Sequence, residues 1–136
     1  DEFLSELLRA LEGRDVAVVY TSDHGQSILE GGIRGTHGVY RNPPASQANV
    51  PLFLMGANDR VRDELQRRAA GQLEANRGRM THFEIFPTLL ELMGFDRAEV
   101  RREFGPGLFD IVPARERRFF SGDPFQSTLR MLNDFD

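Results

Sequence analysis

Asp23 and His24 are the residues of this chain best suited to chemistry. They close an apolar, β-branched run, Val-Ala-Val-Val-Tyr-Thr over residues 16–21, and Gly25 follows them. Such a run suits a strand buried on both faces of a parallel sheet covered by helices, and ligands in open α/β sheets bind just beyond the carboxyl ends of such strands. A carboxylate oxygen beside an imidazole nitrogen is a donor pair for a divalent cation. Along a continuing strand, neighbours point to opposite faces and cannot share an ion. A glycine directly after them lets the chain turn away, so that both side chains converge. The opposing reading is an ordinary turn, with Asp23 capping backbone N–H groups and His24 solvated.

A second histidine strengthens the chemical reading. Thr36-His37-Gly38 lies on a loop that also holds Gly25, Gly31, Gly32 and Gly35. That is enough freedom to fold His37 back towards Asp23 and His24. The third histidine, His82, falls in the first turn of a helix, where an exposed or capping histidine is commoner than a ligand. Thr21 and Ser22 stand beside His24 as hydroxyl groups, but no second base-orienting pair surrounds them. Their strand-end position makes them backbone hydrogen-bonders.

The elements that position these residues alternate along the chain. Phe3, Leu4, Leu7, Leu8 and Leu11 form a helical stripe that stops at Gly13. A strand over 16–21 follows, then a loop over 25–49 closed by Asn42-Pro43-Pro44, then a second buried strand over 50–55. Val61, Leu65, Ala69 and Leu73 recur every four residues and predict one helix over 59–75, its arginine-rich outer face solvated. Thr81 with Glu84 reads as a capping box for the next helix, which Gly94 ends. Asp96 with Glu99 caps a short helix after it, and a terminal strand fits 117–121. Phe83, Phe86 and Leu90 share a face and read as core filling. The order α-β-loop-β-α-α-β predicts an α/β fold, a layered α/β/α sheet that is mostly parallel.

Composition sets the outer limits. The 136 residues are one domain's worth and long enough to bury a core. Twenty-one acids against 17 bases give a net charge of −4, with arginines interspersed among acids, so no nucleic-acid partner is expected. There is no cysteine, which excludes disulfides and thiolate chemistry. No stretch approaches the roughly 18 apolar residues of a membrane span, and residue 1 opens no signal peptide.

Residues 20–27 (Tyr-Thr-Ser-Asp-His-Gly-Gln-Ser), then Thr36-His37-Gly38, then residues 47–53 (Gln-Ala-Asn-Val-Pro-Leu-Phe) resemble the sulfatase branch of the alkaline phosphatase superfamily. Residues 82–94, His-Phe-Glu-Ile-Phe-Pro-Thr-Leu-Leu-Glu-Leu-Met-Gly, are similar to the helix that follows in those enzymes. Gly107-Leu108-Phe109 and residues 118–122 are fainter echoes of its tail. Within that branch, the Gln-x-x-Val-Pro spacing most resembles the phosphoethanolamine transferases of bacterial envelopes. Two departures stand out. Sulfatases proper often carry a lysine where this chain has Asn42, with Arg41 beside it, and Gln26 replaces a common glutamate.

The resemblance implies an alkaline phosphatase-like fold, of which residues 1–136 form the C-terminal portion of the catalytic domain. It implies metal-dependent phosphoryl transfer of the phosphoethanolamine type, or hydrolysis of phosphate or sulfate esters. Asp23 and His24 would ligate a divalent ion, with zinc first and manganese or calcium as alternatives. His37 would be catalytic, either at the transferred group or on a second ion. The remaining ligands and a threonine, serine or formylglycine nucleophile would come from the N-terminal half of the same domain. The substrate would be a phosphate or sulfate ester, lipid-linked in the envelope members, at the periplasmic side of the bacterial inner membrane. The rival reading is a non-catalytic fragment or degenerate module with a binding or structural role.

Overall fold

The structure, a computed structural model, describes residues 2–26, 28, 45–77, 79–112, 118–121 and 128–131, with backbone alone for residue 45 and the last two stretches. Two compact units divide the chain: Asp1–Tyr20 with Leu52–Val112, and Thr21–Pro51 with Pro113–Asp136.

The first unit opens with α1 (Glu2–Ala10), on which Leu4, Leu7 and Leu8 are half-buried and Phe3 is exposed. Next in the chain come β1 (Ala17–Thr21) and its hydrogen-bonded neighbour β2 (Leu52–Gly56). The Ala57 amide donates to the Val16 carbonyl at 3.0 Å, and the Tyr20 and Phe53 rings lie 5.9 Å apart. The end of β2 therefore sits beside the start of β1, which is the antiparallel sense. In the second unit β3 (Arg118–Ser121) and β4 (Thr128–Met131) are also antiparallel, with Arg118 opposite Met131 and Ser121 opposite Thr128.

Both described pairs are thus antiparallel, and a layered, mostly parallel sheet is not seen among the described residues. An apolar, β-branched run identifies a strand, and a covered parallel sheet is only one of the settings in which such a run occurs. Burial on both faces is not seen either. Ala17 and Tyr20 of β1 are exposed and Val18, Val19 and Thr21 are half-buried.

α2 (Asp59–Ala69) starts at Asn58, whose Oδ1 accepts from the Val61 amide at 2.9 Å. Arg60 on its outer face pairs with Asp15 at 2.6 Å, and this guanidinium, together with Asn58, holds the Asp15 carboxyl below the usual range. The single helix expected over 59–75 is broken. Gly71 takes a left-handed conformation (φ 78°), and α3 (Gln72–Ala75) begins after it.

The core of this unit lies under residues 107–112. Leu108, Phe109 and Val112 are buried together with Leu65 of α2 and Val100 of α5 (Arg97–Phe104). A buried irregular segment must still satisfy its backbone polar groups, and two side chains do so. Thr88 Oγ1 donates to the Glu84 carbonyl at 2.6 Å and accepts from the Leu108 amide at 2.7 Å. Asn76 Nδ2 donates to the Asp110 carbonyl at 2.6 Å, and its Oδ1 accepts from the Val112 amide at 2.8 Å.

That arrangement decides which way α4 (Ile85–Leu92) faces. Pro87, Thr88 and Glu91 are buried, whereas Phe83 is 66 % and Met93 73 % exposed, with Phe86 and Leu89 exposed between them. Phe104 of α5 meets Phe86 edge to face at 5.1 Å. Phe83 and Phe86 are therefore not core filling in this structure, and Leu90 is half-buried. The inward face of α4 is the one that hydrogen-bonds residues 107–112. The two predicted caps are present. Glu84 Oε2 accepts from the Thr81 amide at 2.7 Å in a capping box, and Asp96 Oδ1 accepts from the Glu99 amide at 2.9 Å.

Thr88→Val removes the hydroxyl and strands the buried Leu108 amide, so it should cost about 1–3 kcal/mol. A urea titration should show the lower midpoint, and Thr88→Ser, which keeps the oxygen, should recover most of the loss.

Candidate active site

β1 ends at Thr21, and the four residues after it bend under side-chain hydrogen bonds. Thr21 Oγ1 donates to the Ser22 carbonyl at 3.4 Å, and Ser22 Oγ donates to the His24 carbonyl at 2.7 Å. Both hydroxyls thus serve the backbone, as expected from their place at a strand end. Asp23 Oδ1 accepts from the His24 amide at 3.0 Å, the capping role that an ordinary turn gives an aspartate.

The same turn brings the two candidate ligands together. Asp23 Oδ1 and His24 Nε2 are 3.8 Å apart, and the side chains are 87 % and 40 % exposed respectively. His24 Nδ1 lies 2.8 Å from the Gly25 carbonyl oxygen. A carbonyl only accepts, so Nδ1 is the donor in this contact, and a tautomer with its proton there has its lone pair at Nε2. Fixing one ring nitrogen on a backbone carbonyl is how proteins orient a metal-ligating imidazole.

Gly25 holds this turn by a mechanism different from the expected one. Its φ is outside the left-handed region in which Gly13, Gly71, Gly94 and Gly105 stand. What it supplies is close approach. Its amide donates to the Gln47 carbonyl at 2.8 Å, and a Cβ there would stand 1.9 Å from the Ser46 carbonyl oxygen and 2.9 Å from that of Asn49. The partner is a 3-10 turn at Ala45–Gln47, within the loop expected over 25–49. A backbone carbonyl acceptor leaves no residue-type signal, so nothing in the sequence marks it.

His37 lies outside the described residues, as do Thr36, Gly38, Gly31, Gly32, Gly35, Arg41, Asn42, Pro43 and Pro44. Gln26 is exposed, and so is His82 on its 3-10 turn. An apolar groove of about 360 Å³ in the first unit is lined by Leu8, Leu54, Met55, Leu65, Ala69 and Leu73 among others. It holds no pair of groups able to act as acid, base or nucleophile.

Asp23 and His24 pass a simple test of fit to a cation. Zinc–nitrogen and zinc–oxygen bonds are roughly 2.0–2.2 Å, so two ligand atoms on one ion stand no more than about 4.4 Å apart, and 3.8 Å lies inside that limit. Two ligands do not complete a site. Among the described residues no group of three or more His, Cys, Asp or Glu side chains is gathered to hold a metal.

The sulfatase family model matches residues 1–95, a span running from α1 through α4 that contains Asp23, His24 and His37. The chain belongs to the sulfatase family. No curated protein and no solved structure gives a match. Sulfatase family membership carries with it the alkaline phosphatase superfamily, an α/β fold of that kind, and enzymes that hydrolyse or transfer esters. Enzymes of the sulfatase family generally use divalent metals and act on sulfate esters. The strand, turn and Asp-His pair described above all fall within the matched span.

Gly25→Ala should displace the turn, because the added methyl group meets backbone on both sides. Amide chemical shifts should move at residues 22–26 and 46–49, and hydrogen exchange at the Gly25 amide should accelerate, while the shifts of α4 and α5 stay in place.

Proposed function

We propose that this chain supplies part of the active site of a metal-dependent phosphoryl transferase of the phosphoethanolamine type. The observation that carries the reading is the pairing of Asp23 Oδ1 with His24 Nε2 at 3.8 Å, with Nδ1 committed to the Gly25 carbonyl. The resemblance of residues 47–51, Gln-x-x-Val-Pro, to the envelope transferases supports phosphoryl over sulfuryl transfer, as does Asn42 in place of a lysine.

Asp23 and His24 would hold the divalent ion, zinc before manganese or calcium. Such an ion supplies charge neutralisation at non-bridging oxygens and lowers the pKa of a bound hydroxyl. The protein's own part is to keep the imidazole in the Nδ1–H tautomer and to hold the carboxylate beside it. His37 is assigned to the transferred group. As a ring N–H donor it would hydrogen-bond a phosphoryl oxygen, an interaction that strengthens as negative charge accumulates there.

The nucleophile and the further ligands are assigned to an N-terminal half of the same catalytic domain. Two features of the first unit support that division: β1 has no buried residue, and the aromatic face of α4 is exposed. Surfaces of this kind mark contact with further protein. The substrate class is a lipid-linked phosphate ester, met at the periplasmic face of a bacterial inner membrane. No helix among the described residues is long and apolar enough to cross a membrane.

A non-catalytic module is the second reading, favoured by Gln26 where the family commonly has a glutamate. Turnover of aryl phosphate and aryl sulfate esters by the parent protein separates the two. Asp23→Ala and His24→Ala should each lower kcat/KM by about 100-fold or more and reduce bound metal. Equal turnover by these variants would remove both residues from the mechanism.

His37→Ala should lower the rate with metal content unchanged. Loss of one metal equivalent would move His37 to a second ion site. The 136 residues alone should turn over neither ester with zinc, manganese or calcium added, and robust turnover would refute the division of the active site.

A further inference from the structure

Glu91 is a buried carboxylate that neither the fold nor the candidate site uses. Its side chain is 3 % exposed, and its Oε1 has no hydrogen-bond partner among the described residues. Oε2 lies 3.7 Å from Arg97 Nε, too far for a hydrogen bond. The guanidinium is engaged elsewhere. Its Nη2 donates to Asp110 Oδ1 at 2.6 Å and to the Phe109 carbonyl at 3.0 Å. Arg101 Nη1 reaches the same Asp110 oxygen at 3.4 Å. Two carboxylates, each 3 % exposed, therefore compete for one arginine, and Asp110 holds it.

We propose that the junction of α4, α5 and residues 107–110 is a pH-sensitive latch, closed when Glu91 carries a proton and loosened when it is a carboxylate. A buried carboxylate without hydrogen bonds is costly, and taking up a proton removes that cost. With Glu91 neutral, Arg97 stays on Asp110, which in turn accepts from the Gly107 amide at 3.1 Å and so fixes the core segment. With Glu91 charged, the same guanidinium is drawn towards both acids, and water must enter to solvate the second.

Among the described residues, the charged groups facing Glu91 are Arg97 and Arg101 from α5, Asp110 from the core segment and Arg68 from α2. Burial raises the Glu91 carboxyl above its ordinary value of 4.5, and the Asp110 charge adds to the rise, against the pull of Arg97, Arg68 and Arg101. An acid raised on folding contributes stability that is present at low pH and lost as pH rises through the folded value. The window therefore opens at 4.5 and extends upward to the raised value. Asp15, Glu64 and Glu74, all held below their usual range by arginines, act in the opposite sense, so the informative quantity is the difference between variants.

The test is thermal unfolding of the full chain by circular dichroism between about pH 5 and about pH 8, for wild type and Glu91→Gln. Glu91→Gln keeps the shape without the charge. Its Tm should exceed that of wild type at the alkaline end by roughly 3–6 °C for each tenfold change in the unfolding constant, and the gap should close towards the acid end. Parallel profiles, or a Gln variant less stable at every pH, would overturn the latch and make Glu91 an ordinary ion-pair partner of Arg97. A ¹³C NMR titration of the Glu91 side-chain carboxyl decides the matter without a variant. A midpoint above the ordinary glutamate value is expected, and one at or below it refutes the proposal.

Discussion

The bond from the Gly25 amide to the Gln47 carbonyl, made where no Cβ fits against Ser46, is the constraint on which the candidate site depends. Asp23 and His24 are neighbours in sequence, and in extended backbone neighbours diverge. They can face one another only because β1 stops at Thr21 and the chain is pinned again at residue 25. Gly25 does this at both ends of its own backbone. Its N–H ties the turn to Ala45–Gln47, and its C=O accepts a hydrogen bond from His24 Nδ1. A larger residue would keep the second interaction and lose the first. The imidazole would then have its tautomer without its position beside Asp23.

The first unit is organised by a different constraint, the need to satisfy the backbone of a buried irregular segment. Residues 107–112 run through the core without helix or strand, so their amides and carbonyls need side-chain partners. Thr88 and Asn76 provide them. Once Thr88 must face inward, helical geometry sends Phe86, Leu89 and Met93 outward. Hydrophobicity alone would have turned α4 the other way. A stranded buried amide costs about 1–3 kcal/mol, and turning Thr88 outward would strand that of Leu108.

Local signals in the sequence were sufficient for several of the elements, but not for β4, for the turn at Ala45–Gln47 or for how the elements are arranged. The stripe from Phe3 to Leu11, the run over 16–21, the capping box at Thr81 and Glu84, and the cap at Asp96 are each written within a few residues, and each is present. The direction of β2, the inward face of α4 and the burial of Leu108 and Phe109 are set by contacts between residues far apart in sequence, such as Val16 with Ala57 and Thr88 with Leu108. The break at Gly71 shows the limit within a single element. A regular apolar period ran through 61, 65, 69 and 73, yet a left-handed glycine divides the helix between the last two. At the candidate site, Asp23 and His24 were legible because side-chain type is what a cation selects. Their support from Gln47 was not, because any residue has a carbonyl.

Three acids of this chain show how surroundings rather than residue type divide the work. Asp23 is largely open to solvent, with His24 Nε2 beside it, which is where a ligand carboxylate must be to meet an ion. Asp110 is buried, yet its two oxygens take hydrogen bonds from Arg97, Arg101 and the Gly107 amide, so its charge is answered and it serves as a structural anchor. Glu91 has neither condition. It is as buried as Asp110 but receives no hydrogen bond at Oε1 among the described residues, and its nearest cation is already committed. A carboxylate so buried, with one oxygen lacking a donor, has an inexpensive way to lose its penalty, which is to hold a proton. The same helix that turns Glu91 inward places Thr88 under the core segment. Any change that relieved Glu91 by rotating α4 would therefore break the Thr88–Leu108 bond, which leaves uptake of a proton as the route that keeps the packing.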